Sequence, residues 1–283
     1  MKKTLIVYLL FFASLLPLYR FCMRETAGFS ISKISFALPE NVDGPSEFDR
    51  EILNQPFHFL GSGGQCFAFV SKDEKYVIKL LSRGVAPTFL LDLPLPAFVK
   101  RAVAKRADYV ESKWQRDQCS YQLALSELKE ESGLLAVHLS HTSDLNKRLS
   151  IRDKLGIAHE IDLDSTAFIL QKWAEPLFTY LEHEIRAGHI EEAKLALKQT
   201  VDLLVRRCQK GIFDEDPRLH KNLGIAMNSP LFIDVGRFKR DDRRKNPEVY
   251  AQDLKLITDR LNKWLLKEEP QLANYLEELL AQD

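Results

Sequence analysis

A glycine cluster among short apolar segments, between residues 57 and 81, is the feature that most constrains the fold of this chain. Apolar and small residues alternate there, which is the pattern of half-buried β-strands. We predict two or three strands, near Phe57–Leu60, Cys66–Ser71 and Tyr76–Leu81. The charged residues 72–75 separate the last two segments and suit a hairpin turn. This part of the chain is therefore predicted to be β-rich.

The rest of the chain favours helices, with strands between them. Apolar residues recur at helical spacing in segments 97–130, Leu177–Ala187, Ile190–Gln209, Pro247–Lys267 and Pro270–Leu280. Two further strands are predicted at Leu134–Leu139 and Thr166–Gln171, and a short buried strand at Leu231–Ile233 in the otherwise loop-like segment 212–236. The charged segment Ser143–Asp164 is predicted to be a loop with a partial helix. This order of elements indicates an α+β protein with two lobes.

Composition sets limits on function. The 283 residues are 45% apolar and 28% charged, which is enough for a full hydrophobic core and excludes wholesale disorder. Forty basic residues balance forty acidic ones, so binding to nucleic acid through bulk charge is not expected. Four cysteines occur without any pair at metal or redox spacing, which favours scattered reduced thiols.

The amino terminus predicts membrane association. An uncharged run of 16 residues, Thr4–Tyr19, follows two lysines and precedes Arg20 and Arg24. It is shorter than the roughly 20 residues of a spanning helix. A signal anchor or signal peptide at residues 1–25 is favoured over a buried helix, because the run has no polar face. The flanking charges balance, so the side of the membrane stays open. Residues 26–50 are polar and are predicted to be a tether to a domain at 51–283.

The glycine cluster Gly61-Ser62-Gly63-Gly64 could let backbone N–H groups approach an anion, because no Cβ intrudes. An ordinary hairpin turn explains the same residues equally well. Lys79 follows at the centre of an apolar strand, where an ammonium group needs an anionic partner or an exit to water.

Two carboxylate-bearing segments follow in the second half of the chain. Asp216 and Asn222 lie in an acidic loop after a predicted helix, and a solvated loop is the simpler explanation. Asp234 ends the buried strand Leu231–Ile233 and precedes Val235-Gly236, where it would serve either as a turn cap or as a metal ligand.

Taken together and in this order, the four motifs resemble the protein-kinase-like superfamily. Gly61-x-Gly63-x-x-Cys66 looks like the glycine-rich loop, and Lys79 looks like the strand lysine. The resemblance covers about residues 57–240. It implies a two-lobed kinase-like fold with a β-rich N-lobe at about 51–172 and a small helical C-lobe at about 173–283, preceded by the N-terminal hydrophobic helix.

The resemblance also implies roles for the remaining motifs. Asp216 looks like the catalytic-loop aspartate, Asn222 like the metal-binding asparagine and Asp234 like the aspartate of the Asp-Phe-Gly motif. These roles imply ATP and Mg²⁺ as cofactors, with Gly61, Ser62, Gly63, Gly64 and Lys79 on the nucleotide phosphates. The expected activity is phosphoryl transfer to a hydroxyl of a protein, sugar or lipid. The helix partner of the strand lysine would be Glu127 or Glu111.

The chain departs from the kinase pattern in its catalytic loop. Asp214-Glu215 stand in place of His-Arg, and Pro217 directly follows Asp216. Asn222 comes six residues after Asp216, one more than the family pattern. These departures leave open a pseudokinase, a membrane-tethered binding scaffold, or an interaction protein of unrelated fold. Six bases between Arg237 and Lys245 would either dock an anionic acceptor or form a solvated loop.

Overall fold

The computed structural model describes residues 15–34, 38–39, 48–84 and 86–282. The protein is a mixed α+β structure with a seven-stranded sheet and a helical part. The strands are β1 Phe57–Ser62, β2 Cys66–Ser71, β3 Tyr76–Leu81, β4 Leu134–His138, β5 Arg148–Arg152, β6 Ala158–Asp162, β7 Phe168–Lys172, β8 Glu175–Pro176, β9 Ile212–Asp214, β10 Leu223–Ala226, β11 Ser229–Phe232 and β12 Phe238–Arg240.

Residues 15–25 form a helical segment; the numbered helices, all but the first, alternate with strands after residue 96. They are α1 Ile31–Ile34, α2 Ala97–Glu127, α3 Lys129–Ser132, α4 Leu177–Ala187, α5 Ile190–Gln209, α6 Leu219–Asn222, α7 Pro247–Glu268 and α8 Pro270–Gln282. Single turns of 3₁₀-helix occur at Arg50–Leu53, Thr88–Leu91 and Asp242–Lys245. Gly133 and Gly188 end α3 and α4 in left-handed conformations, which suit glycine because it lacks a Cβ.

The large sheet has the strand order β4-β7-β3-β2-β1-β5-β6. Strands β1, β2 and β3 form an antiparallel meander, which confirms the strands predicted around the glycine cluster. Their buried residues alternate along β2, where Phe67 and Phe69 face the core. The alternation of apolar and small residues, which reflects one buried face, therefore predicted the location of these strands from the sequence alone.

The prediction for Ser143–Asp164 is wrong, because this segment contains the hairpin β5–β6 and no helix. Strand β5 pairs in parallel with β1, about ninety residues earlier in the chain. The alternation of buried and exposed residues along β5 is short: only Leu149 and Ile151 are fully buried, between charged residues at both ends. The carboxylate of Asp153 accepts hydrogen bonds from the N–H groups of Leu155 and Ile157 and so shapes the turn between the two strands.

The prediction for residues 212–236 is corrected in part, because short strands occupy much of the segment. Strands β8, β10 and β11 form one small sheet, and β9 pairs with β12 as a second. Strand β11 covers most of the predicted Leu231–Ile233 strand. The acidic loop that carries Asp216 leaves strand β9 of one small sheet and enters helix α6, which leads directly into strand β10 of the other.

The chain divides into two compact units. The first comprises Met1–Val85 and His138–Leu170, and the second comprises Ala86–Val137 and Gln171–Asp283. The first contains β1–β3 and the β5–β6 hairpin. The second contains α2, the helices from α4 onward and the two small sheets.

Part of the predicted tether packs into the first unit. The ring of Phe29 makes edge contacts with Phe67 and Phe69, with ring centroids 5.2 and 5.5 Å apart. Phe29 and Ile34 are both buried. The predicted anchor at residues 1–25 lies largely outside the described residues, which begin at residue 15; residues 15–25 are helical. Within the described part of the chain, no helix combines the length and the apolar character needed to cross a bilayer.

Candidate functional site

The glycine cluster forms the tip of the β1–β2 hairpin in the first unit. The N–H of Gly63 donates a 2.9 Å hydrogen bond to the carbonyl of Cys66, which closes the turn. Gly61, Gly63 and Gly64 are not among the residues with positive φ. A Cβ at Gly61 or Gly64 would meet nothing within 4 Å, and one at Gly63 would only touch the Cys66 carbonyl. Neither backbone strain nor packing therefore requires these glycines.

Lys79 lies on β3, where it is paired in register with Ala68 of β2. Its neighbours Ile78 and Leu80 are fully buried, whereas Lys79 itself is half-buried. This confirms that the lysine belongs to an apolar strand. Its predicted contact with phosphate stays a prediction.

The acidic loop begins where β9 ends at Asp214. The N–H of Asp216 donates a 2.8 Å hydrogen bond to Oδ1 of Asp214, so the strand-ending carboxylate orients the start of the loop. The carboxylate of Asp216 accepts two hydrogen bonds from the guanidinium of Arg218, through Nε and Nη2. This hydrogen-bonded pair lowers the pKa of Asp216 below its usual value, against a smaller opposing effect of burial. Asp216 is therefore held ionised.

Asp214 and Arg207 form a buried pair that sequence reasoning missed. Nη1 of Arg207 lies 3.6 Å from Oδ2 of Asp214, and both residues are almost fully buried. Burial raises the pKa of Asp214 to about 6, although the charge of Arg207 opposes this rise. The available signal was weak: Arg207 continues the buried stripe of α5 at helical spacing, three residues after Leu204.

Asn222 joins the acidic loop to the segment that carries Asp234. The carbonyl of Asn222 accepts hydrogen bonds from the N–H groups of Ile233, at 2.9 Å, and Asp234, at 3.5 Å. Its side-chain Nδ2 donates to the carbonyl of Asp216. Three of the predicted site residues, Asp216, Asn222 and Asp234, are thus brought together in the second unit by hydrogen bonds of the Asn222 main chain and side chain.

The donor set formed by Asn222 and Asp234 fits Mg²⁺. Nδ2 of Asn222 donates to the carbonyl of Asp216, so Oδ1 is the side-chain atom that would bind a metal. Asp234 is exposed, and its Oδ1 accepts a 3.1 Å bond from Gly236 N–H. Mg²⁺ usually takes one or two carboxylates and completes its shell with water and phosphate oxygens. The described residues contain no cluster of three or more His, Cys, Asp or Glu side chains suited to a metal.

Helix α2 holds the segment after Asp234 in place. The hydroxyl of Ser120 donates to the carbonyl of Val235 at 2.5 Å and accepts from the N–H of Phe238 at 2.6 Å. Buried Asp117, one turn earlier, lies 2.9 Å from Nζ of Lys113 and 3.8 Å from Nη1 of Arg237. Sequence reasoning missed both Ser120 and Asp117, because the contacts that tie them to the segment after Asp234 join residues more than a hundred positions apart.

The two acids considered as helix partners of the strand lysine have other contacts in the second unit. Glu127 forms an ion pair with Arg240 of β12. Glu111 accepts a 3.0 Å hydrogen bond from the side-chain amide of Gln115. The pairing of either acid with Lys79 stays a prediction.

The six bases after Gly236 are joined to acids of the chain itself. Their partners are Asp117 for Arg237, Glu215 for Lys239, Glu127 for Arg240, Asp241 for Arg243, Asp241 and Asp253 for Arg244, and Asp242 for Lys245. Each base is therefore already compensated, at 3.8 Å in the longest case. An anionic acceptor on this run would compete with these internal pairs, and its docking there stays a prediction.

No family model matches the chain, and no curated protein matches it. Among solved structures, the chain is similar to WbdD, described as a bifunctional kinase-methyltransferase, in two structures. The first, with a kinase inhibitor, is 13% identical with a TM-score of 0.38 and covers 79% of this chain and 45% of that chain. The second is 14% identical with a TM-score of 0.37 and covers 77% and 42%.

A third similar structure is Rv3197 from Mycobacterium tuberculosis in complex with erythromycin. It is 13% identical with a TM-score of 0.36 and covers 77% of this chain and 55% of that chain. The chain thus spans about half the length of the solved structures that it matches. Similarity at these identities and TM-scores assigns neither activity nor substrate.

Proposed function

We propose that this chain is a kinase-like phosphotransferase that uses ATP and Mg²⁺ and acts on a hydroxyl-bearing acceptor. The observation that carries the proposal is the pair of links made by Asn222: its carbonyl accepts from the Asp234 N–H, and its Nδ2 donates to the Asp216 carbonyl. An amide oxygen, a metal-binding carboxylate and a second ionised carboxylate are the groups that phosphoryl transfer requires at one place. The motif order that suggested these residues is independent of this geometry.

The glycine hairpin gives separate support. Gly61, Gly63 and Gly64 keep open the space that a Cβ would fill, although neither φ nor packing demands glycine there. Such a tip suits the close approach of backbone N–H groups to phosphate oxygens. Lys79 would add a positive charge from the neighbouring strand of the same unit.

Each residue then has a defined task in the proposed reaction. When bound, ATP would supply the phosphoryl group and Mg²⁺ would neutralise its charge. Asn222 Oδ1 and the Asp234 carboxylate would hold the metal. Asp216 would orient the acceptor hydroxyl and accept its proton at a carboxylate oxygen, which the lowered pKa keeps ionised. Asp214 acts through the Asp216 N–H and is a positioning residue.

Thermal unfolding of the full chain with ATP, with and without Mg²⁺, tests the nucleotide site. A ligand at 100 times its Kd stabilises a fold by about 2.7 kcal/mol, which is a readable shift. We expect a Mg²⁺-dependent shift that is lost in Lys79→Ala and Asp234→Ala. The matched control is Lys75→Ala, which removes an exposed lysine of the β2–β3 turn. Absence of any shift in a folded sample would overturn the proposal.

A second function, a nucleotide-binding pseudokinase used as a scaffold, is favoured by one observation. Arg218 donates one hydrogen bond to each oxygen of the Asp216 carboxylate, which lowers the pKa of Asp216 and makes it a weaker acceptor for the proton of a hydroxyl group. ATP hydrolysis or transfer by wild-type protein but not by Asp216→Ala would support the enzyme. A normal Mg²⁺-ATP shift without turnover, across a panel of hydroxyl acceptors, would support the scaffold.

A further inference from the structure

A cavity of about 250 Å³ opens beside the acidic loop, within the second unit. Helix α4, the residues that follow Asp216, and helix α7 line it. Its apolar lining residues are Phe178, Pro217, Leu219, Leu256, Ile257 and Leu261. Asp216 does not itself line the cavity, but its carboxylate is hydrogen-bonded to Arg218, which does, so a molecule in this cavity would lie one residue away from the proposed catalytic carboxylate.

Basic groups supply the polar part of the lining. They are Arg218, His220 and Arg260, and the lining residues include no acid among the part of the chain that the structure describes. Arg218 is compensated by Asp216. Arg260 has no acidic partner within ion-pair distance among the described residues; its Nη1 lies 3.1 Å from Nε2 of His220. Since the Arg260 guanidinium can only donate, this contact requires Nε2 of His220 to accept and the imidazole ring to be neutral.

The apolar groups form the floor of the cavity. Leu219, Ile257 and Leu261 are buried, and the ring of Phe178 lies against the ring of His220 with centroids 6.1 Å apart. Leu256 is 77% exposed and forms part of the rim. A ligand with an apolar body would bury this surface, while its charged group would reach Arg260, the lining arginine for which the described residues offer no acid.

We propose that this cavity binds the acceptor, and that the acceptor combines an apolar body with one anionic group, a phosphate or a carboxylate, that pairs with Arg260. The inference rests on the proposed function, because it takes the neighbouring Asp216 as the residue that receives the hydroxyl. It replaces the run Arg237–Lys245 as the place where an anion is recognised, since the bases of that run are paired internally.

Calorimetric titration of the full chain with 1-naphthyl phosphate, without nucleotide, tests the cavity. The comparison ligands are 1-naphthol, which lacks the charge, and inorganic phosphate, which lacks the apolar body. We expect saturable binding of 1-naphthyl phosphate that is about tenfold or more tighter than binding of either comparison ligand. Arg260→Ala should weaken it about tenfold, because a charged hydrogen bond is lost.

Controls separate this cavity from the nucleotide site. Lys255→Ala removes another exposed cation of α7 that does not line the cavity, and it should leave the affinity unchanged. Lys79→Ala should also leave it unchanged. Equal affinity in wild type and Arg260→Ala, equal affinity for 1-naphthol, or loss of binding in Lys79→Ala would each overturn the proposal. If wild-type protein binds 1-naphthyl phosphate but shows no Mg²⁺-dependent thermal shift with ATP, the kinase function is refuted and the anion-binding cavity stands alone.

Discussion

The hydroxyl of Ser120 donates a 2.5 Å hydrogen bond to the main-chain carbonyl of Val235, the residue that follows Asp234. The same oxygen accepts from the N–H of Phe238, so one side chain satisfies two buried main-chain groups. Ser120 is itself fully buried on α2. This helix therefore sets the backbone on which the proposed metal ligand is carried.

Replacement of Ser120 by alanine should destabilise the protein by about 2–4 kcal/mol, because a buried carbonyl and a buried N–H both lose their partner. Urea denaturation measures the change. Ser126→Ala, an exposed serine of the same helix that bonds only within the helix, should change stability by less than about 0.5 kcal/mol. Equal stability of the two variants would contradict the role of Ser120.

Removal of Arg207 should destabilise the protein strongly. Arg207→Met leaves the buried carboxylate of Asp214 without its counter-charge, which costs about 3–5 kcal/mol near neutral pH. The double variant Arg207→Met/Asp214→Asn removes the charge and retains an oxygen for the Asp216 N–H, so it should recover most of the loss. Denaturation midpoints of the single and double variants measure this, and failure of the double variant to recover would show that Arg207 acts by packing alone.

Asp214 should make stability fall as pH rises from about 4 to about 6. Its pKa in the folded protein is raised to about 6 by burial, from 3.8, so the folded state retains a proton that the unfolded state has lost. The free energy of unfolding should be highest below pH 4, where Asp214 is protonated in both states. It should fall by about 3 kcal/mol as the pH rises through 6. Asp214→Asn should not show this loss. Parallel pH profiles of the two proteins isolate the effect, since all other groups titrate in both.

Alanine in the glycine hairpin should separate binding from stability. Gly61→Ala and Gly64→Ala meet no atom within 4 Å, so unfolding free energies should stay within about 0.5–1 kcal/mol of wild type. Their Mg²⁺-ATP shift should nevertheless shrink, because the added methyl group faces the space left for phosphates.

Gly224→Ala provides the contrast to the hairpin variants. A Cβ there would lie 2.7 Å from the carbonyl oxygen of Glu175, so this variant should lose stability. Hairpin variants that lose stability like Gly224→Ala would show that Gly61 and Gly64 are structural glycines.

The spacing of apolar residues correctly predicted the helices and strands that bury one regular face. It failed for elements that are held by residues far along the chain. Helices α4 and α5 and strands β2 and β3 begin and end where the sequence predicts. Strand β5 was missed, because its pairing with β1 is a long-range contact that periodicity does not report. For the same reason the sequence did not predict the ion pair between Arg240 and Glu127, which are 113 residues apart.

Site residues show the same division. The resemblance to the kinase-like superfamily implied that Asn222 and Asp234 act together as metal ligands; the structure links them through the Asn222 carbonyl, and their binding of a metal stays a prediction. Arg207 and Ser120 could not be predicted, because a buried arginine and a buried serine have no distinctive neighbours in sequence. Their function depends on the groups that they meet in the fold.

The packing of Phe29 has a practical consequence for preparing the protein. Its ring covers Phe67 and Phe69, and with it in place these two are at most 5% exposed. A chain shortened to begin at residue 51 would present both rings to solvent on one sheet face, and exposed apolar patches of this kind promote self-association. Soluble monomer should therefore be obtained from chains that retain residues 26–50, and shorter versions should aggregate even where every proposed site residue is present.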